Sequence, residues 1–236
     1  MPKPTGLPVQ AFRTSRYPVV QAIVDADVDA TQTLSDRAGE QLMKKILSGA
    51  YPAGTPLNSS ELAESLGVSR TPLAKALAKL TADGILVQPR KQPAIVSTAA
   101  VDWLQQTRRF RRLLEPDAAA WATGQFDQDA LDDLWALSRE AEPSPRHDWK
   151  GAAKFFDFAV HLCIAEFCGN EPLRVAIRKC LAYRRLAYAV SEPPEAGLKS
   201  DLEEHVAVLD AITRGDPAAA KRAMERHLDR AIQQNS

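Results

Sequence analysis

Asp157 and His161 stand four apart in the run FFDFAVHLCIAEFC, and in a helix that spacing puts both side chains on one face. Their neighbours Phe155, Phe156, Phe158, Leu162 and Ile164 are apolar, so the shared face is expected to lie inside a core. His205, in EHVAVLDAI, and His227, in ERHLDRAI, each sit in a later stretch of helical pattern. Taken singly, a histidine in such a setting is more often hydrogen-bonded or solvated than a ligand. Three helices bringing one aspartate and three histidines to one bundle interior would supply four ligands suited to a divalent metal. The fourth histidine, His147, falls in the polar loop PSPRHD and is expected to be solvated.

Positioning those ligands requires a set of helices, and the pattern after Val96 is helical throughout. One helix is expected from Val101 to Leu114, with a kink or break at Glu115-Pro116 before the pattern resumes to Gly124. Others are expected over Asp127 to Glu140, Lys150 to Cys168, Glu171 to Val190 and Leu198 to Arg214. Gly215 suits the end of a helix, Asp216 the cap of the next and Pro217 its first position, which starts a last helix running to Ile232. With no convincing strand in this part, the expected architecture is an antiparallel α-helical bundle.

The front of the chain has a different organisation. Ser59 to Leu86 reads SSELAESLGVSRTPLAKALAKLTADGIL. Leu62, Ala63 and Leu66 fall at helical spacing, Gly67 can take the left-handed turn that closes a helix, and Ser69 can cap a second one. In that second helix Leu73, Ala76, Leu77 and Leu80 form a core stripe, leaving Arg70, Thr71, Lys75 and Lys79 for the other side. An earlier helix, capped by Ser35, continues to Gly49, and two short β-branched runs, ILV and AIV, flank the polar tip Pro89 to Pro93. Helix, loop, two helices and a hairpin make a winged helix-turn-helix, whose second helix would enter the DNA major groove.

The 236 residues suit two domains better than one. Charge balances at 30 basic against 30 acidic residues, but up to Thr98 there are 11 against 8 and beyond it 19 against 22, a mildly basic front and acidic back. No segment is apolar and long enough to span a membrane, and Met1 to Ala30 lacks a secretory core, so a soluble, cytoplasmic protein is expected. Cys163, Cys168 and Cys180 are odd in number and lie in apolar patterns, which favours reduced, buried thiols. Residues 1–33, with Pro2, Pro4, Pro8, Pro18 and the acidic DADVDA, are expected to form a disordered extension; an arm reaching DNA through Arg13 and Arg16 is the alternative.

From Leu34 to Val96 the chain resembles the GntR family of bacterial transcription regulators, and VSRTPLAKAL is close to that family's recognition-helix signature. The segments RRLLEPDAAAWA, FFDFAVHLCIAEFCGN, EHVAVLDAI and RGDPAAAKRAMERHL resemble the FCD ligand-binding domain of its FadR subfamily. In the metal-binding branch of that family an Asp and a His four apart, plus two later histidines, hold a metal. These match Asp157, His161, His205 and His227. The family also places an arginine four residues before the Glu of its LLE motif, near the effector, which here is Arg111; Arg108, Arg109 and Arg112 of the same RRFRR run compete for that assignment, and a solvated run is the alternative.

The resemblance implies a mainly α protein: a disordered 1–33, a winged helix-turn-helix with a small β-hairpin wing over 34–98, and a helical effector-binding bundle over 99–236. It further implies a homodimer on double-stranded operator DNA, no enzyme activity, and a repressor released by a small organic acid bound at a divalent metal. Zinc stands first, with nickel, manganese or iron as alternatives. Ser69, Arg70, Thr71 and Lys75 on the recognition helix, and Arg90 and Lys91 at the wing tip, remain to contact DNA. Many members carry Arg-Glu where this chain has Ala74-Lys75, an arginine near Ser60 and a glycine in the wing, where this chain reads PRKQP. A metal-dependent enzyme acting on a small organic acid is the competing reading, with Glu166 or Glu204 as a general base, although Glu204 beside His205 is expected to point elsewhere.

Overall fold

The computed structural model describes residues 16–29 and 33–233, and Arg13 lies outside them. The chain divides into two units, one of residues 28–104 and one that joins 105–233 to the segment 16–27.

In the first unit α2 (Leu34–Leu47) precedes a short strand β1 (Pro56–Leu57), followed by α3 (Ser59–Leu66), α4 (Arg70–Ala82), β2 (Leu86–Val87) and β3 (Ala94–Val96). Asn58 caps α3, its Oδ1 accepting from the Ser60 amide at 2.9 Å. Gly67 closes that helix at φ 63, in the left-handed region where a side chain would strain the backbone. Leu73, Ala76, Leu77 and Leu80 are buried on α4, as their spacing predicts. The wing is more than a hairpin: β3 lies between β2 and β1, antiparallel to both, with Leu57 opposite Ala94 and Leu86 opposite Val96. The cap of α2 is Thr33 rather than Ser35. The Thr33 hydroxyl accepts from the Asp36 amide at 3.2 Å, and Ser35 already belongs to the first turn.

The second unit is helical: α5 (Trp103–Ala122), α6 (Gln128–Glu140), α7 (Trp149–Phe167), α8 (Glu171–Val190), α9 (Glu195–Thr213) and α10 (Pro217–Gln233). Helix α7 is buried on every side from Ala152 to Ala165 and packs against α6, α8 and α9. Helix α5 runs unbroken through Pro116. The expected break is absent because Glu115, Pro116, Ala118 and Ala119 are all buried, so packing on both sides of the proline offsets the lost amide bond. Gly215, at φ 69, turns the chain between α9 and α10, and Asp216 caps the latter by accepting from the Ala219 amide at 2.9 Å. The three cysteines are unpaired and buried; burial pushes the Cys180 thiol up to about 11.

A further helix, α1 (Pro18–Asp29), occupies the stretch expected to be a disordered extension. It is held on the helical unit by groups distant in sequence. One carboxylate oxygen of Asp133 accepts from the amides of Val19 and Val20 at 2.9 and 3.2 Å. Asp27 accepts from Arg178 at 2.9 Å, and Tyr17, Val20 and Val24 are buried. Arg16, the other arm candidate, pairs with Glu140 at 2.7 Å. Proline and acidic residues make this segment read as an extension, but its order comes from contacts with α6 and α8. Among the described residues no helix is long and apolar enough to cross a membrane.

Candidate metal centre and DNA-reading surface

Because α7 runs through the middle of the bundle, Asp157 and His161 face the interior. Asp157 is 2 % exposed and His161 is fully buried, as are His205 from α9 and His227 from α10. The four residues converge, with one donor atom from each within 4.8 Å of the others. Nε2 of His205 lies 3.0 Å from Nε2 of His161 and 3.1 Å from Oδ1 of Asp157, while Nε2 of His161 is 3.6 Å from the same oxygen. Bonds of about 2.1 Å from a common centre give spacings of this size between neighbouring ligands. Oδ1 of Asp157 and Nε2 of His227 have no hydrogen-bond partner. Leaving buried polar atoms unsatisfied costs about 1–3 kcal/mol each. A cation among the four would satisfy both.

The surrounding groups hold Asp157, His205 and His227 in the protonation states a metal needs. Burial, opposed by Asp157 and reinforced by His161, pushes His205 down to about 3, and burial with His205 and His161 does the same to His227, so both imidazoles are neutral. Burial alone would raise Asp157, yet Arg184 and His205 hold it well below the usual carboxylate range. Its second oxygen, Oδ2, accepts from the Tyr188 hydroxyl at 2.8 Å and pairs with Arg184 at 2.8 Å, which turns Oδ1 toward the histidines. His227 donates from Nδ1 to Glu204 at 2.8 Å, leaving Nε2 as the lone-pair nitrogen. Glu204 therefore reaches the site, against the expectation that it points elsewhere, because the ring of His227 comes to it from α10. Asp201, Glu204 and His227 also lie close together, but the Arg230 guanidinium bonds both carboxylates and occupies that position.

Arg111, buried on α5, donates from Nε and Nη2 to Glu115 at 2.5 and 3.2 Å. The other carboxylate oxygen of Glu115 faces Nδ1 of His161 at 2.5 Å. Burial alone would raise Glu115, yet Arg111 and His161 together hold its carboxyl far below the usual carboxylate range. Arg112 is instead taken by Asp229 at 2.7 Å, and Arg109 is exposed. Sequence reasoning missed Glu115, Arg184 and Tyr188. Their signal was present as two more pairs at helical spacing, Arg111 with Glu115 and Arg184 with Tyr188. His147 is exposed, with its ring bonded to the Glu140 carbonyl at 2.8 Å.

In the other unit Ser69, Arg70, Thr71 and Lys75 are exposed on or at the start of α4, and Arg90 and Lys91 are exposed at the wing tip. Ser69 stands at the cap position of α4 without a side-chain cap bond. Arg70 donates to Ser60 Oγ at 3.1 Å. Lys79 is drawn off by Asp36, 3.0 Å away on α2. Lys91 has φ 59, the one non-glycine residue with positive φ among those described.

Residues 34–96 match the family described as bacterial regulatory proteins, gntR family, and residues 106–230 match the FCD domain. The galactonate operon transcriptional repressor of Escherichia coli is 27 % identical over 219 residues, spanning 82 % of this chain and 93 % of that one. The HTH-type transcriptional repressor NanR of Cronobacter sakazakii is 25 % identical over 224 residues, 85 % and 84 % of the two chains. The fold matches that of E. coli McbR/YncC, with a TM-score of 0.62 at 22 % identity over 86 % of this chain and 99 % of that one. These families and relatives are transcription regulators rather than enzymes, which removes the metalloenzyme reading. With both units matched in order, the chain belongs to the FCD-containing GntR family of bacterial transcription regulators.

Proposed function

We propose that this regulator is a dimeric repressor whose operator affinity is set by a small organic acid bound at a divalent metal. The convergence of Asp157, His161, His205 and His227 on one buried point carries the reading. A metal held there supplies a Lewis-acidic centre for a carboxylate. The protein's own residues prepare it: Arg184 and Tyr188 orient Asp157, Glu204 orients His227, and Glu115 faces His161. Arg111 stands behind Glu115 and is the arginine assigned to the metal-bound carboxylate of the effector, which it can meet through the guanidinium hydrogens that Glu115 leaves free. Zinc is the first choice for this nitrogen-rich set, and nickel, manganese or iron suit it as well. One relative is named for a galactonate operon, and galactonate is a hydroxy acid.

On DNA, Ser69, Arg70, Thr71 and Lys75 lie toward the major groove and Arg90 and Lys91 toward the flanking backbone, with two copies reading a near-palindromic site in the cytoplasm. The acid controls binding only by favouring one of two conformers. Elemental analysis of the purified protein, with operator shift assays on metal-loaded and metal-free protein across a panel of hydroxy, keto and dicarboxylic acids, tests the reading. Bound metal and acid-dependent release of DNA are expected. No metal, together with no metal-induced rise in melting temperature in the parent, overturns it.

A further inference from the structure

The charged side chains around the metal cluster pair off almost completely. Arg111 is matched by Glu115, Arg184 by Asp157, and Arg230 by Asp201 and Glu204. One cation is left over. Arg108 lies on α5 three residues before Arg111 and seven before Glu115, so the three share a face of that helix. It is half-buried, and among the described residues no hydrogen bond or ion pair engages it. Its electrostatic neighbours are Arg184, Arg111, Tyr188 and Asp201, so its guanidinium lies within electrostatic reach of the group that fixes Asp157. Burial, and then the like charges of Arg184 and Arg111, work against its protonated form. A part-buried guanidinium in the field of two others, whose neighbouring carboxylate Asp201 is already bonded to Arg230, is an arrangement that an incoming anion would stabilise.

We infer that Arg108 is the anchor for a second anionic group, so that the effector is a small diacid, with one carboxylate at the metal cluster and the other on Arg108. This rests on the metal-centred effector site proposed above and narrows its ligand class. Charge balance points the same way. The three paired arginines face four carboxylates, so a divalent metal and Arg108 together leave two positive charges, of which a monoacid neutralises one and a diacid both. Arg108 also has its donors unspent, whereas Arg111 already gives Nε and Nη2 to Glu115. Arg109, exposed on the next position of α5, is the built-in control.

The test is calorimetric titration of the zinc-loaded full chain with matched pairs of acids that differ by one carboxylate: acetate and malonate, propionate and succinate, lactate and malate. The parent is expected to bind the diacid of at least one pair at least tenfold more tightly than its monoacid. Arg108→Gln should reduce that ratio to within about twofold of unity while leaving monoacid affinity within twofold of the parent's. Arg109→Gln should leave the ratio unchanged, and Arg108→Lys should keep part of it. A parent that binds monoacids and diacids alike overturns the proposal. So does an Arg108→Gln protein, melting at the parent's temperature, that keeps the full ratio or loses affinity for both acids equally. Absence of binding by every acid to the zinc-loaded parent overturns this inference and the metal-centred reading together, whereas the other failures leave that reading standing.

Discussion

Nδ1 of His227 donates to Oε2 of Glu204 at 2.8 Å, and this bond fixes which ring nitrogen is offered to the cluster. A histidine whose Nδ1 carries the proton must present Nε2 as its lone pair, and Nε2 of His227 is an atom left without a partner. Glu204→Ala removes the acceptor without touching a ligand. Metal affinity, measured by competition with a chelator, is expected to fall about 10–100-fold, the usual cost of losing such a partner. An unchanged affinity would mean that the ring is oriented by packing alone.

The same neutral histidines make metal-free protein sensitive to acid. His205 and His227 are held below their unfolded value near 6.5, His205 at about 3, by burial first. Between those values the unfolded chain binds the more protons, so their contribution is complete above about pH 6.5 and is lost as pH falls toward 3. Asp157 and Glu115, held below the usual carboxylate range, act in the same direction at lower pH. For His205 alone the loss is about 3 kcal/mol at pH 4. Chelator-treated parent should therefore lose melting temperature steeply from pH 7 to 4, and His205→Gln should flatten that profile. Parallel profiles would exclude His205 as the source.

How much of this site could be read from the sequence follows from what each residue depends on. Asp157 with His161 was legible because helical spacing and apolar neighbours are local facts, and α7 realises both. The break at Pro116 was a local inference overturned by a non-local fact, the packing of Ala118 and Ala119. Helix α1 was illegible for the same reason: its first two amides are satisfied by Asp133, more than a hundred residues away. Arg184 and Tyr188 are a pair at helical spacing with no task visible in their own helix, and only the approach of Asp157 from α7 gives them one.

Helix α1 should accordingly be part of the fold of the effector-binding unit. Val24 is fully buried, and Val24→Ala is expected to cost about 2 kcal/mol from lost apolar burial and the residual cavity. Asp133→Ala strips the acceptor from the first amides of the helix and should cost about 1 kcal/mol, comparable with losing a helix cap. Urea denaturation measures both. Wild-type stability in the two variants would show that α1 is dispensable.

The DNA-reading surface leads to the last expectation, which turns on Arg70 and Lys91. Ala74 and Lys75 stand where many members of the family carry Arg-Glu, so the base-reading arginine of those chains is missing and Arg70 is the foremost guanidinium of α4. A bidentate base contact is worth about 1–3 kcal/mol, whereas a phosphate contact adds affinity uniformly across sequences. Arg70→Ala should therefore weaken the selected operator by that amount and relax its sequence preference, while Ala74→Arg should shift the preferred half-site. Lys91 differs in kind: its φ of 59 is a conformation that glycine adopts without strain, so the wing carries a strained residue at its exposed tip. Lys91→Gly should stabilise the folded unit by about 1 kcal/mol and at the same time lower the salt dependence of DNA binding by about one phosphate contact. Operator selection from a random library, followed by salt titrations of the parent and the three variants, separates these effects. If Lys91→Gly raises stability with no change in salt slope, the wing does not touch the backbone; if the parent selects no sequence at low salt, the assignment of α4 as the reading helix fails.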